Sequence, residues 1–224
     1  MKYLTPVIHV KDQEQALRNA DICAQAGTKG FFLINHRIPC RELAEIAAVV
    51  RNRFPKAWIG INILDEHPLT AIPQLPPIDG FWTDDPCLIE GQPTQDLAES
   101  IRKSLKHHHP TALYLGSVSF KYQPQPRNLK AMTQLACKYM DIITTSGEGT
   151  GIAADTLKAK EMHLAAGNKP LAIASGITAE NIGGYLPYIT WFLVATGISI
   201  DFYNLNPVLV ARLQERIPRQ VKIL

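Results

Sequence analysis

No apolar run in this 224-residue chain approaches the roughly 20 residues that a membrane-spanning helix needs. Cysteine is scarce. Cys23, Cys40, Cys87 and Cys137 lie far apart and form no CxxC pair, so neither a disulfide framework nor a structural zinc site is expected. Charge of one sign is not in excess: 23 Lys+Arg stand against 20 Asp+Glu, a formal net charge of +3. That balance argues against a dedicated nucleic-acid surface, which needs clustered basic residues. The opening MKYLTPVIHVKDQ turns polar too soon for a secretory signal, so a soluble, cytoplasmic protein is expected. A Gly-x-Gly-x-x-Gly turn after the first strand is also missing, which argues against an open dinucleotide-binding sheet.

What is present is a rhythm. The composition, 46% hydrophobic and 19% charged, suffices for a sizeable core. Short β-branched or apolar runs at 4–10, 30–36, 58–64, 80–84, 111–120, 141–146, 170–175 and 191–196 read as strands. Helical patterns at 12–27, 40–55, 69–75, 95–109, 127–140, 153–167, 179–187 and 206–217 alternate with them. Strand–helix alternation means parallel strands with right-handed crossovers. Eight such units, without a linker or low-complexity stretch, predict a single (β/α)₈ barrel domain over 1–224, with an open doubly wound sheet as the competitor.

In a barrel of this kind the site forms at the C-terminal strand ends. Three consecutive loops there carry glycine: Ser146-Gly147-Glu148-Gly149-Thr150-Gly151, Ala174-Ser175-Gly176-Ile177-Thr178 and Ala195-Thr196-Gly197-Ile198-Ser199. Glycine lets the backbone approach a phosphate and point N–H groups at it. Gly147, Gly149, Thr150, Gly151, Ser175, Gly176, Thr196 and Gly197 are the candidate phosphate-binding residues. The competing reading is that glycines merely punctuate strand–helix turns.

Polar residues at the other strand ends are candidates for chemistry. His9, Asp84 and Lys121 are the candidate catalytic residues, with His9 as acid or base and Lys121 as anion holder or Schiff-base former. Asn35, Asn62, Ser119 and Ser146 are candidate substrate contacts. By the two-residue alternation, Ser117, Ser119 and Lys121 share one face of the fifth strand. These groups form either a site or a hydrogen-bonded polar plug. No cofactor is expected; Mg²⁺ held by His9, Asp65 and Asp84 is the alternative. Lys106-His107-His108-His109 reads as a solvated helix end that complements the helix dipole. Cys87 lacks an obvious activating base.

Several of these segments resemble one family. Val7-Ile8-His9-Val10, Asn35, Gly60-Ile61-Asn62-Ile63-Leu64, Val118-Ser119-Phe120-Lys121 and the run from Asp141 to Gly151 are each similar to segments of the BtpA/SgcQ barrels. Those barrels fall within the ribulose-phosphate-binding group. The stretch Ala174-Ser175-Gly176-Ile177-Thr178-Ala179-Glu180-Asn181 resembles the family most, and Phe192 to Gly197 follows its last-strand pattern. The Pro-Leu-Pro-Gly loop of the family is absent; Lys11-Asp12-Gln13 stands there, and Ile34 replaces the acidic residue before Asn35.

The resemblance implies one of two functions. One is an enzyme acting on a small phosphorylated sugar or nucleoside, by isomerase, lyase or nucleosidase-type chemistry. The other is a non-catalytic factor of the photosystem I accumulation type, with a vestigial anion site. The expected partner is a small phosphorylated ligand, and the size is compatible with a homodimer.

Overall fold

The computed structural model describes residues 2–218. Eight parallel strands close into a barrel in the order of the chain. They are β1 (Tyr3–Val10), β2 (Gly30–Asn35), β3 (Trp58–Asn62), β4 (Gly80–Thr83), β5 (Leu113–Ser117), β6 (Ile142–Ser146), β7 (Leu171–Ala174) and β8 (Trp191–Val194). The barrel closes where Tyr3 to Pro6 of β1 pair with Trp191 to Val194 of β8. The helices are α1 (Gln13–Gln25), α2 (Cys40–Arg53), α3 (Pro68–Ala71), α4 (Asp96–His108), α5 (Leu129–Ala136), α6 (Thr156–Ala166) and α7 (Pro207–Arg216). Side chains of Asp12, Asn128, Asp155 and Asn206 accept from the first-turn N–H groups of α1, α5, α6 and α7. Each satisfies a donor the helix leaves open.

The two-residue alternation of the strands makes two cores. Val7, Phe32, Ile34, Trp82, Leu115, Ile142, Ala172 and Leu193 fill the barrel interior. Their alternates, such as Ile8, Leu33, Ile61 and Ile143, pack outward with Leu43, Val50, Ile101, Leu105 and Leu213 of the helices. Among the described residues no helix is long and apolar enough to cross a membrane.

Two expectations need correction. Segment 179–187 holds no α-helix, only a 3₁₀ turn at Ile182–Gly184. Gly183 and Gly184 are poor helix formers, and Asn181 ties the turn back by accepting from Thr178 N and donating to Gly176 O. The fifth strand ends at Ser117, not at 120. Ser119 takes a left-handed backbone, φ 51°, which breaks the extended geometry that alternation needs. Ser117, Ser119 and Lys121 therefore share no strand face.

Candidate active site

The C-terminal strand ends open on a cavity of ≈ 210 Å³. Its floor is Val7, Ile34, Trp82, Ala174 and Leu193, the top layer of the barrel core. Its walls come from the strand ends and the loops beyond them: His9, His36, Leu64, Asp84, Lys121 with Tyr122, Thr150, Ser175, and Thr196 with Phe202. The three candidate catalytic residues thus meet in one place, although His9 and Lys121 lie 112 positions apart in the chain.

His9 is held as a neutral imidazole. Its Nδ1 donates to the Phe202 carbonyl at 3.0 Å, because a carbonyl can only accept. The neutral ring then presents Nε2 as a lone pair. Burial, with His36 and Lys121 nearby, lowers its pKa to about 4 despite that hydrogen bond. His36 stacks edge-on against His9, ring centres 4.6 Å apart, and burial and Lys121 lower its pKa as well. Asp84 goes the other way. Burial raises its pKa, while the hydrogen bond from Asn62 and the charge of Lys121 oppose the rise.

The four predicted substrate contacts are hydrogen-bonded within the protein. Asn62 is fully buried and donates Nδ2 to Asp84 Oδ1 at 3.0 Å. Asn35 donates to Ile38 O and Asp65, and accepts from Leu64 N, which ties the loops after β2 and β3. Ser146 accepts from Lys121 N at 2.8 Å and donates to Gly147 O. Ser119 turns its hydroxyl to Gln125 and lines a separate groove between the loops after β4 and β5. None of the four lines the cavity; Asn35, Asn62 and Ser146 hold Leu64, Asp84 and Lys121, which do.

The glycine loops divide similarly. Thr150, Ser175 and Thr196 reach the cavity. Gly176 and Gly197 fit the loops against each other: a Cβ on Gly176 would lie 2.1 Å from Ala153 N, and one on Gly197 1.9 Å from Ile177 O. Gly176 also takes φ 67°. Their glycine identity is thus set by loop packing. The loops after β6, β7 and β8 form one tight wall.

Sequence reading missed two supports. Gln15 and Asn19, one turn apart on α1 and both buried, hold the loop after β8. Asn19 donates to Tyr203 O at 2.7 Å and accepts from Leu205 N. Gln15 donates to His9 O and Tyr203 O. Two amides four apart on an otherwise apolar helix face were the available signal. The second is Lys158 of α6, which donates to the carbonyls of Ser119 and Ser146. Burial lowers its pKa to about 8.

Two further side chains have nearby partners. Asp65 is engaged by Asn35 and by Cys40 N, and among the described residues no three His, Cys, Asp or Glu side chains group to hold a metal. Cys87 has a neighbour in His67, Sγ to Nε2 3.6 Å. Yet His67 Nδ1 accepts from Leu69 N, so Nε2 carries the proton and cannot take one from the thiol. Burial and Asp85 push that thiol's pKa up.

Backbone strain gathers at this face. Among the described residues the non-glycine positions with left-handed backbone are Cys87, Ser119, Tyr122 and Ser175, all in loops after β4, β5 and β7. Each costs on the order of 1–3 kcal/mol, and such strain concentrates at functional sites.

No protein family matches the chain by sequence, and no curated protein does. Solved structures do match. Phosphoribosyl anthranilate isomerase from Thermus thermophilus is 14% identical, with TM-score 0.68, over 96% of this chain and 98% of that one. (S)-3-O-geranylgeranylglyceryl phosphate synthase from Thermoplasma acidophilum, in complex with sn-glycerol-1-phosphate, is 14% identical, TM-score 0.66, over 96% and 93%. Tryptophan synthase subunit alpha from Legionella pneumophila is 12% identical, TM-score 0.67, over 96% and 92%. The likeness is one of fold. At such identity these structures fix the architecture, a (β/α)₈ barrel, and not the reaction.

Proposed function

We propose that this chain is an enzyme acting on a small phosphorylated sugar or nucleoside by proton transfer at the barrel mouth. One observation carries the reading: His9 of β1, Asp84 just after β4 and Lys121 of the loop after β5 line a single cavity with Thr150, Ser175 and Thr196. The phosphate would rest on the wall of the loops after β7 and β8, at Ser175, Gly176, Thr196 and Gly197. The Thermoplasma structure that shares the fold holds sn-glycerol-1-phosphate.

The neutral His9 offers Nε2 as a base near pH 7, where an imidazole with a lowered pKa is unprotonated. Asp84 exchanges a second proton, oriented by Asn62. Lys121 stabilises negative charge that develops between them. Isomerisation, lyase and nucleosidase-type chemistry all use such a set. The likeness of Ala174 to Asn181 to BtpA/SgcQ barrels supports placing the chain near that family.

The test starts with a thermal-shift panel of inorganic phosphate, ribose 5-phosphate, ribulose 5-phosphate and nucleoside monophosphates. A ligand at about 100 times its Kd stabilises by about 2.7 kcal/mol, a shift of several degrees at this size. Turnover of the ligand so found should fall by about 100-fold or more in His9→Gln and Lys121→Ala. Full turnover in both variants would sink the proposal.

A further inference from the structure

The cavity adjoins a second chamber of ≈ 390 Å³ on its β8 side. The two share His9, Thr150, Ala195, Thr196 and Phe202. We propose that this chamber is a subsite for an uncharged aryl or branched-alkyl group of the substrate. The proposal rests on the reading above for the phosphate, and adds what the rest of the molecule must be.

The chamber's chemistry argues against an anionic occupant. Its described lining adds Ser199, Ile200 and Asp201 to the shared residues, and holds no Lys or Arg. Asp201 would repel an anion, and its carboxylate is taken up by Tyr203 N, Asn204 N and Asn204 Nδ2. His9 is neutral, with burial the main cause. Beside the Asp201 carboxylate, engaged by its own loop, the lining is apolar surface with hydroxyls at its edge.

That surface is exposed and held still. Ile200 is 68% exposed and Phe202 48%. Single exposed apolar residues are common and mean little. These two stand on a loop fixed at both ends. Ile200 N donates to Asn204 O and Asn206 N to Ile198 O, both at 2.8 Å, and Ser199 bridges Leu205. Buried Gln15 and Asn19 clamp Tyr203 and Leu205 from below. An apolar platform that is ordered before ligand arrives binds without the entropy cost of ordering it. Its position beside Thr150 and Thr196 puts an occupant within reach of a phosphate on that wall.

Calorimetry with methyl phosphate and benzyl phosphate tests this. Benzyl phosphate should bind about tenfold tighter or better, as expected for burying a ring. The ratio should fall towards one in Ile200→Ser and in Phe202→Ala. The His9 hydrogen bond is to the Phe202 backbone and survives that change; if Phe202→Ala misfolds, the exposed Ile200 still carries the test. Equal binding of the two esters overturns the chamber and leaves the phosphate reading standing. If neither ester nor inorganic phosphate binds, NMR with benzyl alcohol separates the two claims. Perturbed Ile200 and Phe202 resonances keep the chamber and remove the phosphate site; unperturbed resonances remove both.

Discussion

His9 Nδ1 lies 3.0 Å from the carbonyl oxygen of Phe202, 193 residues later in the chain. This contact selects the tautomer of the imidazole and joins the first strand end to the last. It makes His9 an acceptor at Nε2, where a base must have its lone pair.

Its depressed pKa has a consequence for stability. An ordinary histidine takes up a proton near pH 6.5, and His9 in the fold only at about 4. The unfolded chain therefore binds more protons between those values. The neutral His9 contributes fully above about pH 6.5, and the contribution is lost as pH falls towards 4. Denaturant melts from pH 7 to 4 should show a smaller acid loss in His9→Gln than in wild type. The acid limb of kcat/KM should correspondingly extend well below pH 6.

Asn62 is the donor that opposes the burial-driven rise of Asp84. Asn62→Leu should raise the Asp84 pKa further, as read by NMR titration of its carboxyl carbon. Turnover should fall mainly in kcat, because Asn62 lines no part of the cavity. An unchanged Asp84 titration would refute its positioning role.

Glycines with similar backbone should differ sharply in tolerance. Gly27 has φ 77° and nothing within 4 Å of the place a methyl would take, whereas Gly176 has φ 67° and Ala153 N at 2.1 Å. Gly27→Ala should cost about 1 kcal/mol, the penalty of left-handed backbone alone. Gly176→Ala should cost more than about 3 kcal/mol or prevent folding, because backbone must move. Chemical denaturation of the two variants compares them directly.

Thr144 is fully buried in the barrel, and its hydroxyl has no partner among the described residues. An unpaired buried hydroxyl costs on the order of 1–3 kcal/mol. Thr144→Val keeps the shape and removes that cost. It should raise Tm by about 2–4 °C, given about 1 kcal/mol recovered; a lower Tm would show that the hydroxyl has a partner in solution.

Much of this was legible in the residues. The strands at 30–36, 58–64 and 191–196 are apolar runs bounded by turns, and their placement holds to within two residues of β2, β3 and β8. Burial on both faces of a parallel strand writes itself as continuous hydrophobicity. The segment 179–187 was less readable, because its Ile182 and Leu186 have helical spacing while Gly183 and Gly184 do not sustain a helix.

Residue type and spacing thus carried the barrel and put His9 and Asp84 at strand ends, because local hydrophobic period is a property of short segments. Folding alone separated the residues that line the mouth from those that support them. Asn35, Asn62, Ser119 and Ser146 have the same polarity as cavity residues, and only their partners, up to 30 positions away, hold them out of its lining. The same holds for Gln15 and Asn19, whose partners at Tyr203 and Leu205 come from the other end of the chain. Long-range hydrogen bonding decides a polar side chain's job, and it exists only once the barrel has closed.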